Sequence, residues 1–458
     1  MRAIDHLAEI WTAAGHDAGA LSYCALDTHP QTFPSSFAVD LAAQTTVAAA
    51  ALAASEFAHT RGAARQRIAV SSPHAAVEAA GWFAIDGRVP DLWDAFSGLY
   101  PCRDGYVRIH ANFAHHRNGA LRLLGVDPDT ATRADAEAAL RDWEAVAFES
   151  AATERGLVVS ALRSFEVWDG MPQGQVLATA PLLTIERIGD GAPRSLPALG
   201  DTDPVLSGIR VLDLTRILAG PVGTRTLAAF GADVMLVNSP TLPNIDAIAE
   251  TSRGKRSVHV DLKTPAGVDR LRGLIHDAHV FVQGYRPGAL AHLGFAPHEI
   301  AALRPGIVQV SLSAYGRHGP WSAKRGFDSL VQTATGFNVA EGAAFGEAKP
   351  RALPMQILDQ ATGFLIAFGA ATALRRQRLE GGSWHVEVSL AQTAQWLRRL
   401  PRITPAECSG PPDRTPYLDT YASGFGTLEA VRPSAMFERT PAAFARPSKP
   451  PGSDAAAW

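Results

Sequence analysis

The sequence predicts an α/β protein whose larger part is a doubly wound, Rossmann-like parallel sheet. Between Gly208 and Leu400, short segments rich in β-branched residues alternate with amphipathic or apolar helical segments. Glycine, proline and basic residues gather where the strands end, which is where a sheet of this kind binds ligands. The N-terminal 200 residues lack this alternation, so we expect them to be organised differently.

Composition restricts the classes of protein before any motif is considered. The chain has 458 residues, of which 47% are hydrophobic and 19% charged, so it can build a large core and more than one domain. A formal net charge of -3 gives no electrostatic reason to expect nucleic acid or an anionic membrane as the main partner. An anion site would have to be local.

Cysteine usage and the N-terminal segment favour a cytoplasmic protein. Cys24, Cys102 and Cys408 lie far apart and without metal-ligand spacing, so we expect free thiols in a reducing cytoplasm and no metal site. The segment MRAIDHLAEIW lacks the uninterrupted apolar core of a signal peptide. The Ala-rich run from Leu41 to Ala54 is too short to span a bilayer, and we expect a buried helix there.

The predicted βα units follow one another from residue 208. A strand at 209–214 leads through the turn Gly220-Pro221 to a helix at 222–230, and the next strand is expected at 234–237. No GxGxxG follows the first strand, so a nicotinamide dinucleotide site is not predicted.

Further along, Thr264 is expected to cap a helix that runs to about His276. Strands are predicted at 279–283 and 307–311. The segment 361–374 is apolar on all sides, which predicts a long buried helix.

Four segments carry a resemblance to a known family. They are GIRVLDLTRILAGP from Gly208, DVMLVNSP from Asp233, GKRSVHVDLKTPAG from Gly254 and VQGYRPGALAHLGF from Val282. In this order they resemble the nucleotide-binding half of a family III CoA transferase, the group of formyl-CoA transferase and carnitine CoA-transferase. The resemblance implies a large CoA-binding domain with a smaller α+β domain, and a homodimer of interlocked rings. It also implies transfer of coenzyme A from an acyl-CoA thioester to a free carboxylic acid.

The order of the segments differs from that of the family. Residues 96–125, with a hairpin signal at Asp104-Gly105, resemble the family's small domain, and residues 168–183 resemble the segment that returns to the large domain. Both precede the nucleotide-binding half, so the chain looks circularly permuted. We expect residues 1–200 to form the small domain and return segment and residues 201–400 the catalytic domain. Residues 401–458 are rich in proline and alanine and are expected to be a surface or disordered tail.

Asp359 is the candidate nucleophile. An aspartate just before a helix is commonly an N-cap, and that interpretation fits the residues alone. The resemblance aligns Asp359 with the family's nucleophilic carboxylate, which forms a mixed anhydride and then an aspartyl-CoA thioester. Gly363 nearby could expose a backbone N–H for the oxyanion.

Asp328 is the second candidate carboxylate, because the family usually carries an acidic residue beside the cleft at this position; a helix-start cap is the alternative. Phe327 precedes it where the related racemase branch has a histidine that acts as acid and base. Phenylalanine there favours transfer over racemisation or isomerisation, which is the alternative activity on this fold.

Contacts to CoA are implied at family positions, and phosphate groups call for basic side chains and free N–H groups. The family positions fall on Arg216, Ala219, Tyr285 and Arg325. Lys255 and Arg256 in the GKRS segment are further phosphate candidates, with a charged turn as the alternative.

Several charged positions of the family are replaced here. They are Asn238, Ser239, Gly284 and His292. These losses keep open a third possibility, a CoA-binding protein without catalysis. The histidines His110, His115 and His116 have no metal-ligand spacing and are expected to be mostly exposed.

Overall fold

The computed structural model describes residues 2–458 as a mixed α/β fold with a mainly parallel seven-stranded sheet and three smaller sheets. The expectation of an α/β fold around a parallel sheet is confirmed. Short elements occupy the first part of the chain. They are α1 (Ala3–Ala13), β1 (Cys24–Leu26), α2 (Val39–His59), β2 (Ile68–Val70), α3 (Ser72–Ala80) and β3 (Phe83–Ile85).

The next part supplies a small three-stranded sheet, its helices, and one strand of the large sheet. Its elements are β4 (Gly98–Cys102), β5 (Gly105–Ile109), α4 (Ala114–Leu123), α5 (Arg133–Leu140), α6 (Ala145–Glu154), β6 (Val159–Ala161), α7 (Phe165–Gly170), α8 (Pro172–Ala178) and β7 (Leu183–Gly189).

The rest of the large sheet and its helices follow. They are β8 (Arg210–Leu214), α9 (Ala219–Ala229), β9 (Asp233–Asn238), α10 (Ile248–Thr251), β10 (Lys255–His259), α11 (Pro265–Asp277), β11 (Val280–Gln283), α12 (Pro297–Leu303), β12 (Val308–Ser313), α13 (Asp328–Ala334), α14 (Phe337–Ala344), α15 (Ile357–Glu380), β13 (Ser383–Ser389) and α16 (Leu390–Arg399).

The large sheet has the strand order β10-β9-β8-β11-β12-β13-β7. Its first six strands are parallel, and β7 pairs antiparallel with β13 at the edge. The order reverses direction between β8 and β11, so the loops after these two strands diverge and leave a crevice. The predicted strands form with ends shifted by two residues or fewer.

Helix α15 lies in the main core and is longer than the sequence predicts, since it begins at Ile357 and ends at Glu380. It packs against α2 and α9. The contact with α9 is close because glycines face each other: a Cβ on Gly363 would lie 2.8 Å from the carbonyl oxygen of Ala219. Gly363 is therefore a packing residue inside the helix, and the expectation that it supplies an oxyanion donor is wrong.

A separate hydrophobic core covers a shorter range than residues 1–200. The sheet β4-β5-β6 and helices α4 to α6 enclose their own buried cluster, and we name residues 96–161 the small unit. Helices α1 and α2 instead belong to the main core with α15, and β7 extends the large sheet. The Asp104-Gly105 turn joins β4 to β5 as predicted.

Residues 401–458 contain more regular structure than expected. Strands β14 (Leu418–Ser423) and β15 (Gly426–Val431) pair with β3, and β16 (Ala435–Phe437) pairs with β2. These pairings tie the segment to the N-terminal part of the chain, so a disordered tail is wrong for residues 418–437. Buried Phe437 packs in the main core.

Two helices are long and apolar enough to cross a membrane by length and composition, Val39–His59 and Ile357–Glu380. Their most apolar windows are 94% and 100% buried within the protein. Both are therefore core helices, and α2 is the buried Ala-rich helix that the sequence predicts.

Buried charges also connect the N-terminal part to the large sheet. Arg225 of α9 contacts Glu78 of α3 and Glu250 of α10, and Arg253 contacts Glu250 as well. Removing Arg225 would leave the buried carboxylate of Glu78 without its cation.

A fragment of residues 201–458 is expected to be insoluble and inactive. Without α2, one side of α15 would be exposed, and without Glu78, Arg225 would lose one of its two carboxylate partners. Co-expression of residues 1–200 should restore a soluble complex, as measured by size-exclusion chromatography and activity. If the fragment alone is a stable, fully active enzyme, the N-terminal part is an accessory domain and this organisation is wrong.

Candidate active site

A cleft of about 440 Å³ opens where the loops after β8 and β11 diverge. Arg216 follows β8, and Tyr285 follows β11, so both line the cleft from the strand ends. The opposite wall comes from the small unit, through Phe113 and His116, and from Arg325. The cleft therefore lies between the large sheet and the small unit.

Asp213 shapes the loop after β8. Its Oδ1 accepts hydrogen bonds from the backbone N–H of Thr215 at 2.9 Å and from its hydroxyl at 2.6 Å. Its Oδ2 accepts one from Lys255 Nζ at 3.0 Å. A Cβ on Gly220 would lie 2.3 Å from the Thr215 Cβ, so the turn requires glycine. The loop thereby places the N-terminus of α9, at Ala219, on the cleft.

The two phosphate candidates of the GKRS segment do not reach the cleft. The segment forms strand β10, and Lys255 is fully buried beneath the sheet edge in its contact with Asp213. Arg256 pairs with Asp233, with Nη2 and Oδ2 3.0 Å apart. Both cations have carboxylate partners outside the cleft, which does not favour phosphate binding by them there, and the segment is a strand rather than a charged turn.

The other four predicted CoA contacts do line the cleft: Arg216, Ala219, Tyr285 and Arg325. Arg216 donates to the carbonyl of Pro243, and Arg325 Nη1 donates to the carbonyl of Gly156 at 2.7 Å. Neither guanidinium contacts a carboxylate among residues 2–458, so both keep donors for a ligand.

Asp359 lies in the first turn of α15, and its side chain lines the cleft. It is therefore a residue of the helix itself rather than its N-cap, which is Gln356. No group within residues 2–458 donates a hydrogen bond to its carboxyl group. Burial, and then the negative charge of Asp328, raise the pKa of Asp359 well above its usual value.

The N-cap residue Gln356 makes no capping hydrogen bond with its side chain, and Asp328 supplies this bond instead. Its Oδ2 accepts a hydrogen bond from the backbone N–H of Asp359 at 2.9 Å, and its Oδ1 accepts one from Gln332 Nε2. Burial raises the pKa of Asp328 to about 6, while these donors and Arg108 oppose the rise. Asp328 is fully buried and is not among the described residues that line the cleft, so its contact with the Asp359 N–H holds the first turn of α15 in place.

Histidines of the small unit are more buried than the sequence predicts. His110 stacks on Phe327 with ring centroids 4.0 Å apart, and His116 lines the cleft. Burial lowers the pKa of His110 to about 4 and that of His116 to about 3, so both are neutral at neutral pH. Only His115 is exposed, as expected. The sequence could not reveal this, because the contact across the cleft joins distant segments.

More cationic than anionic side chains line the cleft. Among the described residues that line it, Asp359 is the only carboxylate, whereas the cations are Arg216, Arg286, Lys324 and Arg325. Lys324 is neutralised by Glu149, with Nζ and Oε1 2.8 Å apart. The remaining guanidiniums suit an anionic ligand that approaches a single acidic side chain.

A family model described as CoA-transferase family III matches residues 206–404. This part of the chain is therefore similar to CoA-transferase family III. The matched segment contains the whole parallel part of the sheet and both aspartates of the site.

Several proteins share sequence with this chain. An acyl-CoA transferase of Gibberella moniliformis is 33% identical over 313 residues, covering 64% of this chain and 55% of the relative. A formyl-CoA:oxalate CoA-transferase of Rhodopseudomonas palustris is 32% identical over 208 residues, covering 43% of this chain and 48% of the relative. The crystal structure of Rv3272 from Mycobacterium tuberculosis is 30% identical, covers 42% of this chain and 57% of that one, and superposes with a TM-score of 0.39. The chain spans about half the length of the curated relatives it matches.

Replacing Asp328 by asparagine is expected to move the acidic limb of the activity profile to lower pH. The asparagine side chain can still accept the Asp359 N–H bond but removes the like charge that raises the pKa of Asp359. The charged groups that face the pair are Arg108 and the cleft cations. Steady-state rates between pH 5 and 8 on the wild type and D328N measure the shift. A limb that stays in place, or moves to higher pH, contradicts the coupling of the two carboxylates.

Proposed function

We propose that this protein transfers coenzyme A between an acyl-CoA thioester and a free carboxylic acid, the activity of an EC 2.8.3 enzyme. The observation that carries the proposal is Asp359, a buried carboxyl group that no donor within residues 2–458 contacts and that faces a cleft lined by cations. The match of residues 206–404 to the family model supports the reaction class. The donor and acceptor acids are set by cleft residues that carry no motif.

The reaction begins with Asp359 in its ionised form. Its carboxylate attacks the thioester carbonyl, the C–S bond breaks, and a mixed anhydride and CoA thiolate result. The thiolate then attacks the aspartyl carbonyl, which releases the donor acid and leaves an aspartyl-CoA thioester. An acceptor carboxylate repeats the two steps in reverse order, so that CoA leaves on the acceptor and Asp359 is regenerated.

The site supports such chemistry in two ways. Asp359 is 8% exposed, so few water molecules reach the anhydride and hydrolysis is disfavoured. The raised pKa of Asp359 makes its anion more basic than an ordinary aspartate, which favours attack on the thioester once the proton has left.

CoA contacts are proposed at Arg216, Ala219, Tyr285 and Arg325. The free N–H groups at the N-terminus of α9 and the Arg216 guanidinium lie together at the strand ends, which suits a phosphate. The Tyr285 ring lines the same wall, and Arg325 adds a cation to the other.

Phe327 argues against racemisation or isomerisation as the activity. Its ring lines the cleft beside Asp359, where proton abstraction from an α-carbon would need a base. His110 lies against Phe327, but it is not among the described residues that line the cleft, and burial lowers its pKa to about 4, which makes it a weak base.

The proposal includes the organisation of the domains, the cellular location and the oligomeric state. The order of the six parallel strands supports a doubly wound, Rossmann-like CoA-binding domain, and the small unit supports a permuted α+β small domain. The match to the Gibberella protein extends beyond residues 206–404, which supports a segment order shared with that relative. The free thiols at Cys24, Cys102 and Cys408 suit a cytoplasmic enzyme, and a homodimer is proposed from the family.

Asp359→Asn is expected to abolish CoA transfer while the protein remains folded. With acyl-CoA and hydroxylamine, the wild type should accumulate a hydroxamate at residue 359, which mass spectrometry of the peptide detects. The variant should also be more heat-stable at neutral pH. The pKa of Asp359 is higher in the folded than in the unfolded state, so the free energy of unfolding falls as the pH rises and Asp359 loses its proton. Asparagine stays neutral, so the variant does not lose this stability.

A panel of acyl-CoAs and free acids, analysed for CoA on a second acid, measures the activity itself. Full activity in D359N, after deamidation has been excluded, would reject Asp359 as the nucleophile. Absence of transfer for every pair with the wild type would reject the proposed function.

Arg216→Ala is expected to raise the Michaelis constant for the acyl-CoA about tenfold to a hundredfold, because a lost charge-assisted hydrogen bond is worth about 1.5–3 kcal/mol. Arg256→Ala is the matched control, since Arg256 pairs with Asp233 away from the cleft. Equal Michaelis constants for R216A and R256A would contradict phosphate recognition by Arg216.

A further inference from the structure

A chain of buried hydrogen bonds runs from the small unit to the turn that carries Asp359. It starts at Arg108 on β5, whose Nε donates to the Thr333 hydroxyl at 3.0 Å. Thr333 lies on α13, which contacts β5 and β6 of the small unit on one side and α15 on the other. The helix is therefore placed to connect the two units.

The chain continues through two amides. The Thr333 hydroxyl lies 2.7 Å from Asn338 Oδ1 and 2.8 Å from the carbonyl of Ser329, and its proton can serve either acceptor. Asn338 Nδ2 donates to Gln332 Oε1 at 3.3 Å. Gln332 Nε2 donates to Asp328 Oδ1.

Asp328 completes the chain through its contact with the Asp359 backbone N–H. The five linking residues are almost fully buried: Arg108 is 8% exposed and the other four, Thr333, Asn338, Gln332 and Asp328, 1% or less. None of the five lines the cleft. Buried polar networks that are satisfied fix one arrangement of their members, because the alternative leaves polar groups unpaired.

We propose that Arg108 is a positioning residue for the reaction, which acts through Thr333, Asn338, Gln332 and Asp328 on the first turn of α15. This inference rests on the proposed function, since the positioned group is the nucleophile. Docking of the small unit onto α13 and the geometry of Asp359 are thereby coupled. A shift of the small unit would release the cap on α15 and misplace the attacking carboxylate.

The electrostatics agree with the geometry. The Asp328 carboxylate opposes the burial that lowers the pKa of Arg108 to about 10, so the guanidinium remains charged at neutral pH. In turn, Arg108 favours the ionised form of Asp328. A charged acceptor holds the Asp359 N–H more strongly than a neutral one.

Two matched threonine variants test the proposal. Thr333→Val removes the hydroxyl that links Arg108 to Asn338 without changing the side-chain shape. Thr335→Val, two residues along, removes a buried hydroxyl that bonds only to the carbonyl of Val331. Arg108→Met removes the start of the chain, and Arg108→Lys keeps its charge.

The first readout separates kcat from KM. T333V and R108M should lower kcat about tenfold while KM for the acyl-CoA stays within about twofold, because no member of the chain contacts the ligand. R108K should recover part of the rate, and T335V should match the wild type. Equal kcat in T333V and T335V, or a rise of KM in place of the fall in kcat, would overturn the proposal.

The second readout does not depend on activity. Hydrogen exchange, followed by mass spectrometry, reports on the backbone N–H groups of Leu358 and Asp359. T333V and R108M should speed exchange in the peptide that contains them, and T335V should not. Unchanged exchange in both variants overturns the proposal whether or not the chain transfers CoA. If T333V and R108M exchange faster but the wild type transfers CoA to no acid, the positioning role is retained and the proposed function is rejected.

Discussion

The packing of helix α15 is the constraint on which the site depends. Its residues from Ala361 to Leu374 are small or apolar on every side, and it is enclosed by α2 from the N-terminal part and by α9 from the large sheet. The facing glycines Gly223 and Gly363 let α9 approach so closely that the N-terminus of α9 and the first turn of α15 open on the same cleft. A potential phosphate site and the candidate nucleophile are thereby brought together by one helix contact.

This packing also explains why two carboxylates can stay close in a buried place. Asp328 is held by the free N–H groups at the start of α15 and by Gln332, so its burial is partly compensated. Asp359 has no such compensation and carries the electrostatic strain of the pair. Stability and reactivity are therefore opposed at Asp359, as is common where a side chain must be activated.

Much of the large sheet could be predicted from the sequence because its signals are local. Strand composition, the Gly220-Pro221 turn and the Thr264 cap each depend on neighbouring residues, and they locate the elements well. Five candidate residues follow from the resemblance to the family, and all of them line one cleft: Asp359, Arg216, Ala219, Tyr285 and Arg325.

The errors arose where partners are distant in sequence. The sequence does not show that Lys255 contacts Asp213, 42 residues away. Nor does it show that strands after residue 417 pair with β2 and β3 near the N-terminus. For the same reason, the sequence does not predict the burial of His110 and His116 or the connection from Arg108 to Asp328. No local pattern encodes such contacts, because burial and pairing are decided by the tertiary fold.

Covalent transfer of acyl groups through Asp359 can be detected by oxygen-isotope transfer. An acceptor acid labelled with ¹⁸O in its carboxylate would form an anhydride with Asp359, and release of the new acyl-CoA would leave one labelled oxygen on the aspartate. After a single turnover with the labelled acid and an acyl-CoA, the peptide that contains Asp359 should be heavier by one ¹⁸O, and the label should be absent from the Asp328 peptide. Formation of labelled acyl-CoA with no label at Asp359 would show that no anhydride forms at this residue.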